Sequence, residues 1–336
     1  MLPDVVGGRV TPEFLKTDLS LIAAKAGVEF IKGEIRDMYP DRKVFDVTGR
    51  DISYEYAVLA TGSETNFYDK NDLKNKCLKL DDVDDAVSIK ESILRVSKNT
   101  DKSNILIIGG GYTGIEIATN IAFLFKRERR KCGIYIVETS DEILKMIPEW
   151  MRTEIKNELK DLGIQVICGD NLDKYDNETA VLGSGKTFDD AVTIWAAGVK
   201  TPGFLSGTGF KTERSRISVD ERLCPAGIPC DGVFIAGDTA SFTNKHFSVP
   251  LRMAVMFSMG QGKIAADNII NDIKGKPYVK YTPVDLGYLI PMAHGKAPGI
   301  VAGVKIHGVT GYYLHYIMCL FRSEQGNKTG VFRDIF

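Results

Sequence analysis

Short apolar runs alternate with longer stretches of helical period along most of this chain, the layout of an α/β protein. Residues 28–34, 43–47 and 55–60 read as strands. Residues 81–98 read as an amphipathic helix, with Val83, Ala86, Val87, Ile89, Ile93 and Leu94 on one face. An apolar strand at 104–108, a helical stretch and a second strand ending at Glu138 follow. Residues 149–162 then read as a helix, and 164–168, 191–196 and 231–236 as strands. Pro250 suits the first turn of a long helix reaching about residue 272. The tail holds a strand-like region over 284–305 and an apolar helix over 311–321. There is no internal repeat or low-complexity segment.

The stretch 104–138 carries the most chemistry. Its first strand runs into Gly109-Gly110-Gly111-Tyr112-Thr113-Gly114, and its second ends on an acid, Glu138. A strand, G-x-G-x-x-G, a helix, a strand and an acid at this spacing form the βαβ dinucleotide fingerprint. Gly109 permits the tight turn, Gly111 lets the backbone approach a pyrophosphate, and Gly114 lets helix and strand pack closely. The helix N-terminus offers free N–H groups to phosphates. Glu138 is placed to accept hydrogen bonds from ribose hydroxyls. Asp141 and Glu142 stand nearby without an arginine, which disfavours a 2′-phosphate, so NADH is expected over NADPH. A glycine-rich turn in an ordinary α/β domain is the competing reading, and the flanking strands and acid argue against it.

Composition narrows the class. The chain has 336 residues, 44% hydrophobic and 26% charged, with net charge −1, so it is expected to fold as about two globular domains. That balance does not call for nucleic acid. Six scattered cysteines without C-x-x-C, and four scattered histidines, give no metal site. Cys224 and Cys230 share a Pro/Gly-rich loop, and a reducing compartment argues against a bond between them. No signal-peptide pattern opens the chain and no run is long enough to span a bilayer, so a cytoplasmic location is expected. Gly183-Ser184-Gly185-Lys186-Thr187 imitates a phosphate loop, but it sits in an expected hairpin and lacks the leading glycine. Asn177-Glu178-Thr179 reads as an ordinary turn rather than a glycosylation acceptor.

Three strands end in punctuated phrases: Ala60-Thr61-Gly62, Trp195-Ala196-Ala197-Gly198 and Phe234-Ile235-Ala236-Gly237-Asp238. With the fingerprint between the first two, this order resembles the two-dinucleotide-binding-domain, pyridine nucleotide-disulfide reductase-like flavoproteins. Leu2-Pro3-Asp4-Val5, Gly27-Val28-Glu29-Phe30, the phrase from Ala60 to Phe67, and Asp285-Leu286-Gly287-Tyr288-Leu289 before an aromatic helix look like type II NADH dehydrogenases, NADH:quinone oxidoreductases. The resemblance implies two Rossmann-like domains, one inserted in the other, binding FAD and NADH, with a membrane-associating tail. Residues 1–79 and 199–275 would form the FAD domain, 80–198 the NADH domain and 276–336 the C-terminal region.

Site roles follow from the same resemblance. Ala60, Thr61, Gly62 and Gly198 fall at the crossovers, and Asp238, after Gly237, matches the acid that bonds the FAD ribityl chain. Glu116 matches an acid near flavin and nicotinamide, its alternative being a polar group favoured by the helix dipole. NADH would deliver a hydride to flavin, which passes electrons to a quinone or other small acceptor. The family's opening G-x-G-x-x-G has no counterpart before residue 60. The first βαβ unit of the FAD domain is therefore expected to be missing, by truncation or loss, and FAD binding to be weak. The family's quinone-side A-Q-x-x-x-Q-Q pattern falls at 255–261 and keeps only Gln261, while Leu286 replaces a common lysine.

Three further segments have competing readings. Arg252 faces the flavin or is a surface arginine. The basic run 126–131 suits a helix C-terminus, with a membrane-facing patch as the alternative. The aromatic tail helix, within 309–322, suits peripheral contact with the inner face of the cell membrane. Burial in a core or a homodimer contact is its alternative.

Overall fold

The computed structural model of the protein describes residues 1–96, 103–245 and 249–322. The chain divides into two compact units: Met1–Asp18 with Thr65–Gly198 and Leu286–Phe336, and Leu19–Glu64 with Val199–Asp285. The chain passes between them at Asp18/Leu19, Glu64/Thr65, Gly198/Val199 and Asp285/Leu286, the second and third lying beside the two expected crossovers. The division departs from the expected domains in placing both Met1–Asp18 and the tail with the fingerprint.

The first unit is built on a parallel four-stranded sheet in the order Ala191–Trp195, Asn104–Ile108, Gly133–Glu138, Gln165–Cys168. The central strand is covered on both faces, which is why Ile105, Leu106, Ile107 and Ile108 form an unbroken apolar run rather than an alternating one. The fingerprint helix, Tyr112–Arg127, buries Ile115, Ala118, Ile121, Ala122 and Phe125, a stripe at three- and four-residue spacing. At its end Arg127 donates to the Gly8 carbonyl oxygen at 3.0 Å and Arg130 to that of Leu94, so these two cations close local structure. The helix expected over 81–98 spans Val83–Val96, and its last two expected positions lie outside the described residues. Ala86, Ile89, Ile93 and Val96 form its buried face, under Val5 and Val6 of the short helix Leu2–Val6. Leu172–Asp176, Thr179–Leu182 and Thr187–Phe188 make an antiparallel meander. Gly183-Ser184-Gly185 lies in one of its turns, as the rejection of a phosphate loop requires.

The tail is two-faced. The region 284–305 resolves into strands Gly287–Leu289 and Gly299–Val301, and the latter pairs with Val304–Ile306. The helix Gly308–Arg322 begins three residues before the expected 311. Tyr312, Tyr316 and Leu320 are buried in the first unit's core, while Val309, Tyr313 and Ile317 are exposed. A polar network keys its inner face. Arg9, 2% exposed, donates to Asp4 and to the Tyr316 hydroxyl, each at 2.8 Å, and to the Tyr312 hydroxyl. Tyr316 donates to Asp4 at 2.6 Å. Pairing and hydrogen bonding of this kind offset the desolvation cost of a buried cation.

The second unit holds the antiparallel sheet Ile35–Tyr39, Val44–Val47, Arg50–Ser53 and the parallel pair Ala57–Leu59 with Val233–Ile235. A third sheet joins Thr212–Glu213, Arg216–Val219 and Ala240–Phe242. Its core gathers Met38, Leu59, Ile217, Val233, Ile235, Phe242 and Phe257.

Three expectations are corrected here. Residues 28–34 take no regular structure, and the strand starts at Ile35; Val28, Phe30 and Ile31 are exposed. An apolar run becomes a strand only where a partner strand accepts it. Pro250 does not open the long helix, which spans Val255–Ile273 and starts after an extended Ala254. Cys224 and Cys230 are bonded, their Cα atoms 5.0 Å apart, because the proline- and glycine-containing loop folds one onto the other.

Candidate nucleotide and flavin sites

The first site is the turn between Asn104–Ile108 and the fingerprint helix. Gly109 has φ +117°, and a Cβ there would lie 2.4 Å from the Ala196 carbonyl oxygen. A Cβ on Gly114 would lie 2.0 Å from the Gly109 carbonyl oxygen, so both glycines are demanded by close approach. At Gly111 a Cβ would meet open space, the room a phosphate would occupy over the helix N-terminus. Glu138, at the end of the neighbouring strand, accepts the Gly110 N–H at 2.7 Å and the Ser140 N–H at 2.8 Å. Burial would raise its pKa, but the backbone hydrogen bonds from Ser140 and Gly110 outweigh it and hold the carboxyl below its ordinary value. An ionised acceptor therefore stands at the sheet's carboxyl edge, where open α/β sheets bind ligands. Asp141 and Glu142 are ion-paired with Lys145 and with Lys156 and Arg152. Arg152 thus stands beside Glu142, which corrects the expectation that no arginine lies near these acids.

Glu116 lies one turn into the fingerprint helix. It keeps partial solvent access, yet the protein packed around its carboxyl pushes its pKa up to about 8. Burial is the main cause; the Met1 amine opposes it and Asp4 adds to it. The group is therefore largely protonated at neutral pH. Gly198, at the unit's edge, has its carbonyl bonded by the Asn66 N–H at 3.0 Å and packs on the Tyr68 ring, where a Cβ would meet the hydroxyl at 2.4 Å.

The second site is a cleft of about 440 Å³ at the carboxyl ends of Ala57–Leu59 and Val233–Ile235. Ala60, Gly62, Ala236, Gly237 and Asp238 line it, facing Ser258, Met259 and Gly262 of the long helix. Gly62 and Gly237 both have φ +69°, and a Cβ on Gly62 would meet nothing within 4 Å, which leaves room for a ligand against the backbone. Thr61 is hydrogen-bonded to Thr239 at 3.3 Å, and Ser63 donates weakly to Asp238 at 3.3 Å. The Asp238 carboxylate and two left-handed glycines at paired strand ends suit the polyol side of FAD.

Two further side chains shape this cleft: Arg216, which the sequence reading missed, and Gln261, which it placed only in the quinone-side pattern. Gln261, buried at 1%, accepts the Gly237 N–H at 2.7 Å, which ties the one retained glutamine of the quinone pattern to the turn. Arg216 bonds the turn's carbonyls from behind. Both act across 22 or more residues of sequence, so no local motif announces them. Arg252 forms an ion pair with Asp285. Among the described residues no group of three or more His, Cys, Asp or Glu could hold a metal, and no helix is long and apolar enough to cross a membrane.

The chain is 22% identical over 335 residues to a type II NADH:quinone oxidoreductase of Staphylococcus saprophyticus, covering 94% of this chain and 83% of that protein. A second such protein, from Staphylococcus haemolyticus, is 23% identical over 341 residues with the same coverage. The structure of NDH2 from Plasmodium falciparum in complex with NADH superposes with a TM-score of 0.84 at 16% identity, covering 99% of this chain and 89% of that one. The sulfide:quinone oxidoreductase of Aquifex aeolicus superposes at 0.77 with 16% identity, covering 94% and 80%. These likenesses establish a two-dinucleotide-binding-domain fold. Residues 10–262 match the pyridine nucleotide-disulphide oxidoreductase family, and the chain belongs to that family of flavin-dependent oxidoreductases.

Proposed function

We propose that the protein is an FAD-dependent NADH dehydrogenase that passes electrons to a quinone-type acceptor. The observation that carries this reading is the pair of strand-end sites in one chain, one closed on Glu138 and one opening on Asp238. FAD, when bound, supplies the two-electron redox chemistry. The chain's residues bind and orient. The turn at Gly109, Gly111 and Gly114 with the helix N-terminus receives the NADH pyrophosphate, and Glu138 receives the ribose. Ala60, Thr61, Gly62, Gly237 and Asp238 receive the flavin side. Glu116, protonated at neutral pH, is a neutral donor beside the nucleotide turn.

The naming of the staphylococcal relatives as NADH:quinone oxidoreductases supports the acceptor class. The test is NADH oxidation by the purified, FAD-supplemented chain with a water-soluble quinone. Steady turnover that needs both FAD and quinone is expected, and quinone-independent or absent turnover refutes the reading. A second reading, reduction of a different small acceptor, draws on Gln261. Its amide oxygen accepts the Gly237 N–H, so the one glutamine kept from the family's quinone-side pattern serves the turn. A non-catalytic nucleotide-binding role would show as NADH binding without a flavin spectrum.

The tail helix supports placement on the inner face of the cell membrane as a peripheral protein. Val309, Tyr313 and Ile317 form an exposed apolar stripe on a helix whose other face is anchored. Such a helix lies in the interface rather than crossing it. Tyr313→Ser with Ile317→Asp should release the protein from anionic liposomes with NADH binding unchanged. Equal sedimentation of parent and variant would assign the stripe to another contact, such as a homodimer.

A further inference from the structure

The turn Gly237–Thr239 is held from behind by one side chain. Arg216, at the start of the strand Arg216–Val219, is 7% exposed. Its Nε donates to the Asp238 carbonyl oxygen at 3.1 Å, one terminal nitrogen to the Leu251 carbonyl oxygen at 2.8 Å, and the other to that of Ala240. One planar guanidinium thus fixes carbonyls from both ends of the segment that leaves the cleft. Among the described residues no carboxylate lies within ion-pair distance of it; Asp238 and Glu213 act on it only at longer range. Burying a cation without an ion-pair partner is costly, and a well-packed apolar side chain would often be the more stable choice. What arginine adds is a rigid fork of donors that a lysine or an apolar residue lacks.

The Asp238 carboxylate, by contrast, has among the described residues one weak hydrogen-bond partner, the Ser63 hydroxyl. Its direction is therefore set by its backbone. That backbone is gripped at the Asp238 and Ala240 carbonyls by Arg216 and at the Gly237 N–H by Gln261. We propose that Arg216 is a positioning residue for flavin binding, locking the 237–240 turn so that the Asp238 carboxylate is presented to the cleft ready-oriented for the FAD polyol chain. This rests on the assignment of the cleft to FAD.

The test compares the parent chain with Arg216→Lys and Arg216→Gln by FAD titration, followed by flavin fluorescence, and by hydrogen exchange of amides 236–242 without FAD. Lysine keeps the charge but loses the fork. Arg216→Lys should weaken FAD about tenfold, the loss of one charged hydrogen bond, and Arg216→Gln more. Both should exchange faster across 236–242 while the NADH affinity stays within twofold of the parent. A folded Arg216→Lys protein with parental FAD affinity and parental exchange overturns the proposal. Should Arg216→Gln not accumulate as folded protein, Arg216→Lys decides alone. A parent chain that binds no FAD overturns the cofactor assignment instead. The exchange comparison then still tells whether Arg216 holds the turn.

Discussion

The two strand-end turns do similar work by different means. The turn at 109–114 is closed largely by backbone packed on backbone, Gly114 against the Gly109 carbonyl and Gly109 against Ala196, with Glu138 from the next strand accepting the Gly110 N–H. The turn at 237–240 contains little that holds it, and depends on Arg216 and Gln261 arriving from other elements. A turn closed by backbone contact spells its requirements in glycines at set spacing. A turn whose polar groups are held by remote side chains keeps a glycine where its backbone is left-handed, as at Gly237. The first is therefore sensitive to single methyl groups and the second to single remote side chains.

The largest expected effect comes from adding a methyl group at Gly114. Its Cβ would meet a backbone oxygen that cannot move without opening the turn. Gly114→Ala should destabilise the fingerprint unit by more than about 3 kcal/mol and abolish NADH binding. Thermal unfolding and an NADH titration check it. Near-parental values for both would erase the distinction between the two turns.

Glu116 sharpens the comparison at the helix that follows the first turn. Its folded pKa of about 8 lies above its unfolded value near 4.5. Between those values the folded protein binds the extra proton, so stability falls as pH rises through that window and levels off above it. Glu116→Gln should remove this loss, gaining about 4 kcal/mol over the parent at pH 8.5 and less than about 1 kcal/mol at pH 4.5. Unfolding curves at the two pH values measure it, and a pH-independent difference contradicts it.

A smaller effect is expected at Glu138. Glu138→Ala leaves the Gly110 and Ser140 N–H groups without their acceptor and removes the ribose partner. NADH affinity should fall about tenfold while NADPH affinity holds or improves. Calorimetric titration of both nucleotides decides, and an equal loss for both would remove Glu138 from the selection between them.

The same contrast explains what could be read in advance. The segment 104–138 is legible because each requirement (tight turn, close packing, acceptor) falls on a residue at a set spacing from the last. Ala60, Gly62, Gly237 and Asp238 were legible only as punctuation at strand ends, and the cleft confirms where they meet. Arg216 was not, since a polar residue beside Ile217 in a short strand looks solvent-facing until its three carbonyls are in place. Residues 28–34 misled for the opposite reason: β-branched and aromatic residues favour a strand, but pairing is a property of the neighbour. The tail helix seemed apolar all round because tyrosine counts as both. Only the Arg9 network shows that Tyr312 and Tyr316 face inward and Tyr313 outward.

That network also orders events during synthesis. Arg9 leaves the ribosome well before its tyrosine partners Tyr312 and Tyr316, which follow 303 and 307 residues later. At the usual pace of translation the wait is about 15–60 s, during which the arginine has only Asp4 to answer its charge. The fingerprint strand and helix can assemble meanwhile from consecutive residues. The unit that contains them cannot be sealed until Tyr312 and Tyr316 have emerged. A nascent chain halted before residue 312 would carry a formed nucleotide turn and an open flank. Protease accessibility of that flank would therefore act as a clock for completion of the fold.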